Sequence, residues 1–138
     1  MKHFKYTLLG VVLTLAASVS AKQLKTDKLY MFGFSASFKD SVVYVTDIQN
    51  VQGAWIDTKT KFLLGRDEYS RQLKNYLTDQ LQQPKRVCLV FFEMSRKKAE
   101  KQYLKLMKKY KKGYEIRYLN ATEFKFEAID ASDDEEEE

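Results

Sequence analysis

Arg86–Gly113 reads RVCLVFFEMSRKKAEKQYLKLMKKYKKG, and its two halves set the terms for the rest of the chain. In the first half both alternating sets are apolar: Val87, Leu89 and Phe91 on one side, Cys88, Val90 and Phe92 on the other. A strand apolar on both faces is expected at the centre of a sheet. Ser95 is suited to cap a following helix and Gly113 to end it, so the spacing predicts a helix over 96–112. At about 100° per residue, Lys97, Lys98, Lys101, Lys105, Lys108, Lys109 and Lys112 share one arc of roughly 120°. Ala99, Tyr103, Leu106, Met107 and Tyr110 fall on the opposite arc and belong to a core.

Upstream, Asp67–Gln82 carries Tyr69, Leu73, Tyr76, Leu77 and Leu81 at helical spacing, and Pro84 closes it. Leu29–Phe38 alternates strictly, with Tyr30, Phe32, Phe34, Ala36 and Phe38 on one side; Ser41–Ile48 is rich in β-branched residues. These are two strands joined by a hairpin-length turn, hence antiparallel neighbours. Lys22–Lys28 reads as a polar lead without structure. A short hairpin of 54–57 with 61–64 is expected in the connection that follows. Downstream, Tyr114–Leu119 and Phe124–Ile129 alternate and read as two closing strands. The fold class is therefore α+β, with a mixed sheet of about five strands and two helices. The order is β-β-α-β-α-β-β in a single compact domain. The helix between Phe92 and Tyr114 implies a right-handed βαβ crossover, so strands 87–92 and 114–119 are expected to be parallel, with both helices on one face.

Both ends of the chain differ in composition from this body. Lys2, His3 and Lys5 precede the apolar run Leu8–Ala17, and Ser18–Ala21 supplies small residues. That pattern predicts a signal peptide over 1–21, cleaved after Ala21, and places the remainder outside the cytoplasm, in the periplasm or medium of a bacterial host. The apolar run is well short of the ~20 residues that a spanning helix requires. Residues 133–138, DDEEEE, form an acidic tail with no apolar side chain to bury. The intervening domain, 22–132, holds 22 basic and 13 acidic residues, a formal +9. Proximity in sequence suggests that the tail competes for the basic helix.

Residue types exclude much chemistry. The single histidine, His3, lies in the expected signal peptide, and the single cysteine, Cys88, sits mid-strand among apolar neighbours. This leaves no disulfide, no Cys/His zinc set and no histidine-activated nucleophile. No cofactor or metal site is expected, and the chain is not expected to be an enzyme. The expected function is that of a small exported binding or interaction protein. Its Lys97, Lys98, Lys101, Lys105, Lys108, Lys109 and Lys112 dock an anionic lipid, an acidic glycan or an acidic protein. Export argues against nucleic acid, and the helix tyrosines point to the core rather than offering a stacking platform. The alternative is a carboxylate-dependent enzyme or divalent-cation site at Asp47 and Glu93, both at strand ends, with Asp57 and Asp67 near the same rim.

Overall fold

A computed structural model describes residues Gln23–Ala131 of the 138-residue chain. The expected signal peptide and the acidic tail lie outside the described residues. The domain is α+β, with a mixed five-stranded sheet, a small second sheet and two helices.

The strands are β1 (Gln23–Lys25), β2 (Tyr30–Ala36), β3 (Val42–Thr46), β4 (Gln49–Asn50), β5 (Trp55–Asp57), β6 (Val87–Glu93) and β7 (Glu115–Leu119). The helices are α1 (Arg66–Gln80) and α2 (Arg96–Tyr110). The middle of the main sheet is β2. Along its whole length it pairs antiparallel with β6, from Tyr30↔Glu93 to Ala36↔Val87. Its other side takes β3 at Phe34↔Val45 and β4 at Tyr30↔Asn50. The strand expected over 41–48 is thus interrupted: Asp47 turns its N–H to Leu119 (3.0 Å) before the chain rejoins β2 at Gln49. Beyond β3 lies β7, parallel to it from Val42↔Glu115 to Thr46↔Leu119.

Two expectations are corrected here. Strand β6 is not central: among the described residues it pairs with β2 alone. It runs in the same direction as β7, but β2 and β3 lie between them. The helices also pack on opposite faces of the sheet, not on one. Met31, Tyr44, Val90 and Leu119 share a core with Tyr69, Leu73 and Leu77 of α1. Phe34, Val43 and Val45 share another with Tyr103, Leu106, Met107 and Tyr110 of α2. The physical reason is common to both corrections. An apolar strand does not report how many strands flank it: the helix layers take up Val90 and Phe91 on the two sides of the edge strand β6, while Val87 and Leu89 remain 44 % and 47 % exposed.

Alternation along β2 divides the work of the two layers. Phe32 and Phe34 face α2, where Phe32 stacks on Phe91 (5.0 Å) and meets the edge of Tyr103 (5.4 Å). Gly33 faces α1 and lets the helix come close. A Cβ there would sit 2.7 Å from Leu73 Cδ2 and 3.0 Å from Phe126 Cζ. The Gly33 N–H is bonded to Thr46 Oγ1 at 2.8 Å. The β2–β3 turn has no glycine and is closed by side chains instead: Lys39 N–H donates to Ser37 Oγ, and Val42 N–H to Asp40 Oδ1.

The periphery departs from the sequence reading in three places. The polar lead is ordered, since β1 pairs antiparallel with β5 and buried Thr26 donates to the Ala54 carbonyl. The 54–64 hairpin is reduced to one bridge, Ile56↔Leu63. Phe124–Ile129 forms no strand ladder. Side chains hold it: Gln49 bonds Phe124 O and Phe126 N, Gln72 bonds Glu127, and Tyr69 Oη accepts from Ile129 N.

Helix α1 starts at Gly65, whose φ of 72° lies in the left-handed region, and no side chain caps it. Helix α2 starts at Ser95, whose Oγ accepts from Lys98 N at 3.4 Å.

Candidate functional site

The basic surface is built by the way α2 is seated. Ala99 is buried, Tyr103 abuts Phe32, and Tyr110 packs on Phe34 at 4.7 Å. These contacts run from the first turn to the last, so the helix lies flat on the sheet with its opposite side free. Lys97, Lys98, Lys101, Lys105, Lys108, Lys109 and Lys112 are all exposed, and Lys111 is exposed beside them. One acid stands on the helix, Glu100, and Arg96 holds it at 3.2 Å. No acid therefore separates the lysines. Lys109 Nζ lies 5.7 Å from the Tyr110 ring, the one ring contact within this group.

Leu104 is the residue that the periodic pattern does not place in the core. At about 100° per residue it falls only ~20° from Lys97, and it is 66 % exposed. Lys101 and Lys108 stand one turn before and after it and Lys97 two turns before, with Glu100 and Met107 as its other neighbours on the helix surface. The signal was present in the sequence as an apolar residue on the wrong arc. Beside the last turn of α2 a cleft of about 180 Å³ is lined by Phe34, Ala36, Phe38, Val87, Leu89 and Tyr110. Phe38, at the tip of the β2–β3 turn, is 98 % exposed.

The carboxylates have local structural tasks. β3 and β6 run in the same direction, so Asp47 and Glu93 lie at one end of the sheet. The whole of β2 separates their strands, about 10 Å at two strand spacings. Glu93 accepts from Gln102 Nε2 of α2, and Asp47 Oδ2 accepts from Ala121 N at 3.1 Å. Asp57 Oδ1 accepts from Lys59 N and Thr60 N and shapes its own turn. Asp67 stands in the first turn of α1, where negative charge is favoured. Among the described residues no three His, Cys, Asp or Glu side chains gather as a metal would require.

Two further groups are set into the sheet, Cys88 half-buried and Arg86 buried. Burial pushes the Cys88 thiol above its ordinary range, against smaller opposing effects from Ser35, Lys74 and Arg86, so it stays protonated and unreactive at neutral pH. Arg86, 4 % exposed, donates to Ser35 Oγ and the Val42 carbonyl, pairs with Asp40 at 3.4 Å and covers the Tyr44 ring at 4.9 Å. It is a clamp between β6 and the β2–β3 hairpin. On the α2 side, burial raises the Tyr103 phenol, helped by the nearby Tyr118 and Asp47.

The fold and the site define a three-layer α+β domain with one strongly basic helical face. Comparison with protein-family models, with curated proteins and with solved structures finds no match to this chain.

Proposed function

We propose that this chain is a small exported binding protein without catalytic activity, which docks an anionic partner through the lysine face of α2. One observation carries the reading: six exposed lysines, Lys97, Lys98, Lys101, Lys105, Lys108 and Lys109, occupy the free side of a helix whose only acid is already paired with Arg96, and exposed Lys112 follows just beyond the helix end at Tyr110. Lysines one turn apart repel, and interspersed acids would relieve that repulsion. A surface left without them has its charge available to a partner and attracts polyanions over several ångströms. Export rests on the charged start, apolar run and small residues of 1–21. No observation favours acid/base chemistry at Asp47 and Glu93, since each carboxylate is engaged by its own neighbour and β2 lies between them.

The test is retention on immobilised heparin as a generic polyanion. The native chain from Lys22 onward is expected to bind at low salt and to elute as salt screens the lysines. Changing Lys101, Lys105 and Lys108 together to glutamate should abolish retention while leaving the circular dichroism spectrum intact. Equal retention by the triple variant would remove α2 as the site.

A further inference from the structure

Among the described residues nine large apolar side chains are exposed, and six of them lie on the same layer as the lysines, the others being Leu24, Phe62 and Met94. Leu104 stands on α2 itself. Phe38, Val87 and Leu89 flank its last turn through the cleft they share with Tyr110. Tyr114 meets Tyr110 edge-on at 4.9 Å, and Tyr118 projects from β7 on the Tyr103 side. All six are at least 44 % exposed. On the opposite layer, α1 mixes Asp67, Glu68 and Asp79 with Arg71 and Lys74 and buries Tyr69, Leu73 and Leu77. The molecule is thus two-sided, and one side combines positive charge with unpaired apolar groups.

We infer that the anionic partner of α2 is a phospholipid surface, bound peripherally, with Leu104 and Phe38 entering the acyl region beneath a layer of lysine–phosphate contacts. This rests on the lysine-face reading and specifies its partner. A soluble polyanion is satisfied by charge alone and gives no use to an exposed leucine at the edge of the lysine face. A bilayer uses both. Lysine stems reach sideways to keep their ammonium groups at the phosphates while a neighbouring apolar side chain goes deeper. The seven positions are lysine throughout, so they supply mobile point charges and not the planar forks that recognise a fixed carboxylate or phosphate pattern. Such charges match a fluid array of headgroups. The fifteen-residue α2 offers a ridge of roughly 22 Å parallel to the sheet. Tyr114 and Tyr118 beside it are of the type that settles at the headgroup level. No described helix is long and apolar enough to cross a membrane, so the contact lies on the surface.

The experiment uses the chain from Lys22 to Glu138, which contains every described element. Co-sedimentation is measured with vesicles of phosphatidylcholine alone and of phosphatidylcholine mixed with phosphatidylglycerol, alongside heparin retention. The native chain should partition to the mixed vesicles only. Leu104→Ser should weaken that partition about tenfold, and Phe38→Ser should weaken it further. Heparin elution should not move in either variant. Both side chains are exposed, so neither change threatens folding. Heparin retention without preference for the mixed vesicles would overturn the lipid assignment and leave the lysine-face reading standing. Loss of both would overturn the two together. Vesicle binding unchanged in the Leu104→Ser, Phe38→Ser double variant would overturn insertion and with it the proposal.

Discussion

Lys101→Glu tests whether the lysine face is maintained at a cost to the fold. Lys101 lies at the middle of the arc, with Lys97 four residues before it, Lys98 three before and Lys105 four after. Each like-charged pair at these spacings destabilises a helix by about 0.2–0.5 kcal/mol, and an opposite pair stabilises it by a similar amount. Reversing one charge converts three repulsions into three attractions, an upper estimate of about 1–3 kcal/mol. All four side chains are exposed, so solvent screening brings the expected gain down to about 1 kcal/mol. In urea unfolding at low salt that is a midpoint increase of roughly 0.5–1 M. Lys101→Gln, which removes repulsion without adding attraction, should give about half. In roughly 0.5 M salt both gains should shrink to a few tenths of a kcal/mol, since the screening length falls to a few ångströms. The same Lys101→Glu variant should elute earlier from heparin, so stability and binding move in opposite directions. A variant no more stable than the native chain at low salt, or one whose gain is indifferent to salt, would refute the reasoning.

Other perturbations read different parts of the structure. Gln49→Leu removes both bonds to the 124–126 segment, each 2.8 Å long and buried, and strands a backbone carbonyl and an N–H. The expected loss is about 2–3 kcal/mol in urea unfolding, with faster proteolysis near Phe124; a loss under about 1 kcal/mol would contradict it. Alkali should weaken the fold through Cys88, Tyr69 and Tyr103, all held above their ordinary values by burial. Each is neutral when protonated, so its contribution is whole below the unfolded pKa and is lost as pH rises through the higher folded one. Unfolding free energy should decline from about pH 9 for the thiol and from about pH 10 for the phenols, from their ordinary values of 9.0 and 10.0. Cys88→Ala should remove the first part of that decline, and an unchanged profile would refute the thiol's share.

The candidate site was more legible than the sheet that carries it. Periodicity alone placed seven lysines on one arc and Tyr103 and Tyr110 on the other, because a helix fixes which side chains share a side through local geometry. Leu104 was equally visible as an apolar residue at the edge of the basic arc, and its meaning came only with the exposure of Phe38 and Tyr118 on the same layer, which are distant in sequence. The Asp47 and Glu93 pair illustrates the opposite limit. Their common end of the sheet followed from strand direction, but their separation depends on β2 being threaded between them, which no local pattern encodes.

By itself, the amino-acid sequence determined the two helices, the α+β class, the order of its elements and the lysine arc, all of which follow from the spacing of apolar residues along a few turns or strands. Tertiary structure alone decided that Val87–Glu93 lies at the edge and Tyr30–Ala36 at the middle. The apolar pattern does not count strand neighbours: Val87–Glu93 is apolar on both sides, yet it is an edge strand whose Val87 and Leu89 stay 44 % and 47 % exposed. It also decided what the described segment after β7 meets. Ile129 is bonded to Tyr69 Oη of α1, so the described chain ends against the layer opposite the lysines, although the two are neighbours in sequence. Which layer a segment joins is set by the pairing of strands far apart in the chain, and that pairing is a long-range choice among alternatives with the same local pattern.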